Sequence, residues 1–155
     1  PHLEALRLLA RRTGVDGAVT FVGACSQDGV AAELGRAHAY VSPSLSEGIS
    51  NGVLEAMASG VAVVSTEVGG MGEVITDGVD GWLVAPGRPD QLAEAIRHAV
   101  ADPERLRRVA VAGRERVVTG FGRPDQARAW LAIYRDVGGK HRSALVGATG
   151  EDCTP

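Results

Sequence analysis

Aromatic residues are scarce in this 155-residue chain, only 4% of it, and lysine occurs once, at Lys140. With so few rings the core has to be assembled from Val, Leu and Ala, which suits a buried parallel sheet with helices laid over it. Cysteine is nearly absent too: Cys25 and Cys153 stand far apart, with no histidine at metal-ligand spacing beside either. They read as free thiols of a reducing compartment rather than as a disulfide or a zinc site. No apolar run approaches the roughly 18 residues that would suggest a membrane span. An excess of one charge is lacking as well. Charged residues make up 23% of the chain, the net charge is −3 and 45% of the residues are apolar, which excludes both disorder and a strongly nucleic-acid-seeking surface. The chain opens Pro1-His2-Leu3, with no Met and no signal-peptide pattern, and so reads as a cut through a longer protein.

Glycine is what the chain has in excess: 21 residues, where average usage of roughly 7% would give about eleven. The glycines cluster after apolar runs. Leu3, Leu6, Leu8 and Leu9 place a helix over residues 2–12, stopped by Gly14. Residues 18–22 read as a short buried strand closed by Gly23, and Ser26 caps a helix to about Gly35 with Val30, Ala31 and Leu34 facing in. A second strand over 39–41 ends at Pro43, a helix runs from Asn51 to Ser59, and Gly60 ends it. Residues 61–65 form the clearest strand: four apolar residues in a row, then Ser, bounded by Gly and turn residues. Gly69-Gly70 opens a loop before a short helix over 71–76, and Asp77-Gly78 and Asp80-Gly81 make turns before a fourth strand over 82–84. Helices follow over 91–101, from Asp102-Pro103 to about Val118, and from Arg123-Pro124-Asp125 to about Val137. Strands alternating with helices predict an α/β fold, a Rossmann-like doubly wound parallel sheet with right-handed crossovers. One domain covers 1–137, and 138–155 has no periodicity and reads as a disordered tail.

In such sheets ligands sit outside the carboxyl ends of the strands, and one loop there carries an unusual pair of acids. Glu47 and Glu55 are separated by seven mostly small residues, where the strand ending at Ser42-Pro43-Ser44 hands over to the next helix. Gly48 and Asn51-Gly52 break helical continuity, so Glu47 belongs to the loop and Glu55 lies one turn into the helix. With Ser50 or Asn51 as N-cap, the amides near Gly52 and Val53 point at whatever lies beyond the strand, an anion above all. Carboxylates beside a diphosphate repel it, so their use would be to accept bonds from hydroxyls: Glu55 from a ribose diol, Glu47 from a sugar. A nucleotide sugar is such a ligand. The plain alternative is a loop acid and a first-turn acid that merely supports the helix dipole.

Ser46-Glu47-Gly48 through Glu55-Ala56-Met57-Ala58-Ser59-Gly60, then Val61-Ala62-Val63-Val64-Ser65 and Val68-Gly69-Gly70, closely resembles the family-4 retaining glycosyltransferases. The likeness runs from about residue 3 to 137 and takes in Phe21-Val22-Gly23, Val41-Ser42-Pro43-Ser44, Glu73-Val74-Ile75 and Gly81-Trp82-Leu83-Val84. Those enzymes have two Rossmann-like domains (the GT-B architecture) and carry Glu-x7-Glu in the C-terminal, donor-binding one. The resemblance implies transfer of a sugar from a nucleotide-diphosphate donor to an acceptor hydroxyl, with retention, in glycan, polysaccharide or glycolipid biosynthesis. Glu47 would be the catalytic residue at the sugar and Glu55 the ribose ligand. Gly48, Ile49, Ser50 and Asn51 would supply backbone contacts, with Leu54 beside them and Gly23 bordering the nucleobase. Many members carry Gly-Phe-Gly-Leu-Pro after the first Glu, where this chain has Gly48-Ile49-Ser50-Asn51-Gly52. No cofactor and no obligatory metal are implied. The implied partners are the nucleotide-sugar donor, a glycan or lipid-linked acceptor, and an N-terminal acceptor domain or partner chain; nucleic acid is not among them. The place implied is the cytoplasm, with at most peripheral membrane contact. The Arg and Lys that usually meet the donor phosphates in this family lie upstream of any residue here, which implies most of a donor domain rather than a whole enzyme. Two alternatives remain: a non-catalytic nucleotide-sugar binding module, and a nucleotide-sugar epimerase of similar architecture.

Other candidates carry less. His38 and His98 read as structural or solvated, and the Asp77 and Asp80 spacing suits turns better than a metal. Arg105, Arg107, Arg108, Arg114 and Arg116 read as a solvated face interleaved with Glu104 and Glu115, with attachment to anionic lipid as the second reading. Trp82 and Trp130 read as packing residues. Gly69-Gly70-Met71-Gly72-Glu73 reads equally as a border of the sugar-phosphate pocket and as a plain loop.

Overall fold

A computed structural model describes residues 2–122 and 126–136. Contacts divide the chain after residue 33 into two compact units. The first holds helix α1 (His2–Arg12), a 3₁₀ turn (Asp16–Ala18) and most of helix α2 (Gln27–Leu34). Glu4 in the first turn of α1 and Arg11 and Arg12 in its last complement the helix dipole. Gly14 then turns left-handed at φ +73°, letting the Val15 N–H reach the Ala10 carbonyl at 2.9 Å and close the helix end. Ser26 caps α2 as its hydroxyl predicts, accepting from the Gly29 N–H at 3.2 Å. On α2, Leu34 is buried and Val30 half-buried, but Ala31 faces solvent rather than inward.

The strand expected over 18–22 does not form. Ala18 closes the 3₁₀ turn, and Val19 and Val22 are exposed. A strand exists only as one side of a ladder, and the described ladder contains no strand from this segment. Phe21 instead lies 5.9 Å from the Arg7 guanidinium, a cation–π contact within the unit.

The second unit contains a parallel sheet of β1 (Ala39–Ser42), β2 (Ala62–Thr66) and β3 (Trp82–Val84) in the order β1-β2-β3. The register aligns Val41 with Val64 and Val64 with Trp82. The strands are joined through α3 (Asn51–Ala58) and α4 (Met71–Val74) and followed by α5 (Pro89–Ala101) and α6 (Pro103–Gly120), with a further helix α7 over 126–136. Every residue of β2 is buried. Ala62 and Val64 pack with Trp82 against Ala99 of α5 and Val109 and Ala110 of α6. Val63 and Ser65, which the pleat turns to the other face, are equally buried, so the sheet is covered on both sides. The four-residue apolar run thus reports a doubly covered central strand, as expected.

Several boundaries shift for local reasons. Helix α4 stops at Val74, two residues short of the expected end, because the Asp80 carboxylate takes the Thr76 N–H at 2.6 Å and Ile75 is extended. Pro89 and Pro103 occupy first-turn positions, and the Asp102 carboxylate caps α6 by accepting from the Arg105 N–H at 2.9 Å. The expected helix start at Arg123-Pro124-Asp125 and the expected tail over 138–155 lie outside the described residues.

Three of the five arginines expected to form a solvated face on α6 make contacts within the protein. Arg116 donates to the Val74 and Glu73 carbonyls at 2.6 and 2.7 Å and lies 3.6 Å from the buried Asp80 carboxylate. Arg114 donates to the Ala58 carbonyl, and Arg105 sits 5.9 Å from the Trp82 ring centre. These contacts tie α6 to α3, to the end of α4 and to the turn before β3. Trp82 belongs to the core as expected, whereas Trp130 is exposed and its ring lies against that of Tyr134 of the same helix, ring centres 6.0 Å apart.

Candidate functional site

The carboxyl end of β1 leads into the segment that carries Glu47 and Glu55. Thr66, at the end of β2, donates its hydroxyl to the Ser44 carbonyl at 2.6 Å, with the Ser42 carbonyl at 3.3 Å. That pair fixes the direction in which the chain leaves β1. At the same edge a largely apolar groove of about 230 Å³ is lined by Pro43, Leu45, Thr66 and Leu92, with Gly87, Arg88 and Pro89 closing it.

Ser50 is the N-cap of α3, with an extended backbone (φ −73°, ψ 118°). Its carbonyl accepts from the Leu54 N–H at 3.1 Å, but its hydroxyl caps nothing. The cap expected of Ser50 or Asn51 is therefore a backbone cap only. The N–H groups of Asn51, Gly52 and Val53 consequently have no backbone acceptor among the described residues. A charge-assisted bond from each such group to an anion contributes about 1.5–3 kcal/mol when water is excluded.

Glu47 lies in the loop and Glu55 on α3, both exposed, and neither carboxylate forms a hydrogen bond or ion pair with a described residue. The residue that registers both is Tyr40 of β1. Its phenol is pushed above the usual tyrosine range, first by burial and then by the negative charges of Glu47 and Glu55. The negative charge of both acids, separated in sequence, thus reaches one half-buried hydroxyl.

The loop between them is held at its start by the next crossover. The Gly70 N–H donates to the Gly48 carbonyl at 3.0 Å. Gly69, at φ +53°, comes so close that a methyl there would lie 1.9 Å from the Glu47 carbonyl oxygen. A methyl at Gly70 would lie 2.7 Å from Cγ1 of Ile49. This geometry makes Gly69-Gly70 a support for the acidic loop, a role that neither reading of the segment named. Gly48, Ile49, Ser50, Asn51, Leu54, Glu47 and Glu55 all sit on this one segment and its helix. Gly23, with φ +79°, belongs to the first unit.

Tyr40 and Thr66 were not among the residues the sequence pointed to. Their signal was small: a hydroxyl on the strand leading to the loop, and another at the carboxyl end of the buried strand beside it. Asp77 and Asp80 serve the turn before β3 by accepting from the Leu83 and Thr76 N–H groups, at 2.9 and 2.6 Å. His98 is exposed, 3.2 Å from Glu94. Among the described residues no group of three or more acids, histidines and cysteines could hold a metal ion. None of the described helices is long and apolar enough to cross a membrane.

The second unit is therefore a parallel α/β unit presenting unpaired amides and two free carboxylates at its carboxyl edge, where such folds take their ligands. Residues 1–102 match the family "Glycosyl transferases group 1". The chain is 44% identical over 110 residues to the alpha-maltose-1-phosphate synthase of Mycolicibacterium smegmatis, covering 67% of this chain and 28% of that protein. It is 38% identical over 134 residues to the D-inositol 3-phosphate glycosyltransferase of Kribbella flavida, covering 86% and 31%. Among solved structures, sucrose-phosphate synthase from Thermosynechococcus elongatus matches with a TM-score of 0.72 at 31% identity, over 94% of this chain and 35% of that one. Alr3699/HepE of Anabaena in complex with UDP-glucose matches with a TM-score of 0.72 at 25% identity, over 84% and 36%. The chain belongs to the group 1 glycosyl transferase family, and its fold is that of the Rossmann-like C-terminal half of GT-B glycosyltransferases. It spans about a third of the length of the relatives it matches.

Proposed function

We propose that this chain is the donor-binding part of a retaining, family-4 glycosyltransferase that moves a sugar from a nucleotide-diphosphate donor to an acceptor hydroxyl. The observation that carries the reading is the open N-terminus of α3, whose first amides have no backbone acceptor among the described residues, with Glu47 and Glu55 on the same segment. The N–H groups of Asn51, Gly52 and Val53, with the helix dipole behind them, meet the diphosphate. Glu55 accepts from the ribose hydroxyls, while Glu47 accepts from a sugar hydroxyl and stabilises the positive charge that develops on the sugar ring. As the bond from the anomeric carbon to phosphate breaks, negative charge grows on the diphosphate facing those amides, the kind of preorganised stabilisation that lowers a barrier. The new bond forms to the acceptor oxygen, and its proton leaves with the diphosphate. The reading asks for no obligatory metal. A glycan or lipid-linked acceptor is held by residues outside this chain, and the work is done in the cytoplasm.

That several relatives are named as sugar-transferring enzymes, and that one is solved with UDP-glucose, supports the donor class. The lipid-attachment reading of α6 loses support, because Arg105, Arg114 and Arg116 are committed within the protein. The test is turnover in the full-length protein. Glu47→Ala removes most of kcat, and Glu55→Ala mainly raises the donor KM. Near-normal kcat for the Glu47 variant overturns the catalytic assignment.

A further inference from the structure

Tyr40 touches the donor loop at a second point, away from Gly69 and Gly70. A methyl at Gly52, in the first turn of α3, would lie 2.5 Å from the Tyr40 Oη and 3.4 Å from Cζ. Real carbon atoms do not approach a hydroxyl oxygen that closely, so a methyl at position 52 obliges the Tyr40 ring or the first turn of α3 to shift. Gly52 is not in a left-handed conformation. Its lack of a side chain answers to the tyrosine hydroxyl, not to the backbone.

The acidic segment is therefore gripped at both ends. The Gly70 N–H and the close approach of Gly69 hold its start at Glu47 and Gly48, and the Tyr40 hydroxyl abuts its end where α3 begins. Between these grips lie the amides, and flanking them are the two carboxylates. Tyr40 stands on β1, whose register to β2 is fixed through Tyr40 opposite Val63. The position of the hydroxyl is thereby referred to the centre of the sheet.

We propose that Tyr40 is a positioning residue for the donor site: its hydroxyl, seated against Gly52, sets how far the first turn of α3 stands from β1. It thereby sets where the amides of the turn and the carboxylates of Glu47 and Glu55 meet a nucleoside diphosphate. This rests on the donor-site reading above and adds to it a residue that need not touch the donor. The phenol stays protonated well into alkaline solution, because burial and both glutamates oppose its ionisation.

The experiment is a double-mutant cycle in the full-length protein, using whichever of UDP, GDP and ADP binds the unsubstituted protein most tightly. Gly52→Ala drives a methyl against the hydroxyl and weakens the nucleotide by about tenfold or more, a change of about 1.4 kcal/mol. Tyr40→Phe removes the oxygen and loosens the turn, a smaller loss. Because the phenyl ring leaves 3.4 Å for the methyl, Gly52→Ala combined with Tyr40→Phe returns to the Tyr40→Phe level. The two changes are therefore strongly non-additive. Additive losses, or a harmless Gly52→Ala, overturn the inference.

Two readouts need no ligand and separate this inference from the donor reading. The melting temperature follows the same rescue pattern. In NMR of the ring-labelled protein, with the Tyr40 signal assigned by its loss in Tyr40→Phe, the ionisation midpoint of Tyr40 falls on Glu47→Gln and again on Glu55→Gln. A midpoint indifferent to both glutamates overturns the influence of their charge on the hydroxyl. Failure of all three nucleotides to bind, with the rescue and the titration intact, overturns the donor reading and leaves the contact standing.

Discussion

Replacing Gly69 by alanine asks two things of the acidic loop at once. The backbone at φ +53° lies in the left-handed region, where a residue with a Cβ is strained by about 1–3 kcal/mol. The added methyl would also lie 1.9 Å from the Glu47 carbonyl oxygen, 2.7 Å from that of Gly48 and 2.9 Å from the Glu47 carbonyl carbon, all of them backbone. No rotamer relieves a clash with backbone, so the two segments have to separate, and the bond from the Gly70 N–H to the Gly48 carbonyl is lost. That bond is worth about 0.5–1.5 kcal/mol. Together the terms come to about 2–4 kcal/mol, a drop in melting temperature on the order of 10 °C for a chain of this size. Gly72 is the internal control. It lies in α4 at an ordinary helical conformation, with 3.6 Å to the nearest atom a methyl would meet, the Glu67 Oε1. Alanine there removes helix-interior glycine and stabilises by about 0.5–1 kcal/mol. The same chemical change three residues apart should therefore shift the thermal unfolding midpoint, followed by circular dichroism, in opposite directions. Nucleotide affinity should fall with Gly69→Ala and hold with Gly72→Ala. A Gly69→Ala protein that melts within a degree or two of the unsubstituted one refutes the claim that this crossover grips the acidic loop.

Asp80→Ala leaves the Thr76 N–H and the Arg116 guanidinium without their buried acceptor, and chemical denaturation should show a loss of about 1–3 kcal/mol. Asp80→Asn, which keeps the acceptor, should lose less. At the start of α5, the Arg88 guanidinium donates to both oxygens of Asp90 and holds its carboxyl below the usual aspartate range. A lowered folded-state value gives stability that is present above the ordinary aspartate range and lost as the pH falls through the lowered one. Carbon-detected NMR titration should find that low midpoint, and Arg88→Ala should bring it back up.

The central strand and the helix before it were legible because their signals are local. An apolar run flanked by glycine at position 60 and turn residues after Ser65 means much the same in any context, and it yielded β2 and the end of α3 within a residue. Glu47 and Glu55 stood out for the same reason, through their spacing in a segment otherwise built of small residues. What was not legible depends on partners distant in sequence. Residues 18–22 have a strand's composition, but the described ladder gives them no neighbour. Arg114 and Arg116 looked like solvent-facing charge, since nothing in their helix announces that the carbonyls of Ala58, Glu73 and Val74 end beside them. Tyr40 looked like one more core residue, because only the fold shows Gly52 against its hydroxyl and the charge of both glutamates reaching it.

The central claim, that Glu55 meets the ribose and Glu47 the sugar of a nucleotide-sugar donor, is tested most directly by calorimetry on the full-length protein. UDP-, GDP- and ADP-sugars and the corresponding free diphosphates are titrated into the unsubstituted, Glu47→Ala and Glu55→Ala proteins. At least one base series should bind. In that series Glu55→Ala should weaken the sugar nucleotide and the free diphosphate alike, by about tenfold, since both carry the ribose, a loss of about 1.4 kcal/mol. Glu47→Ala should leave the free diphosphate's affinity in place and weaken only the sugar nucleotide. Binding of none of these compounds, or affinities untouched by Glu55→Ala, would contradict the account.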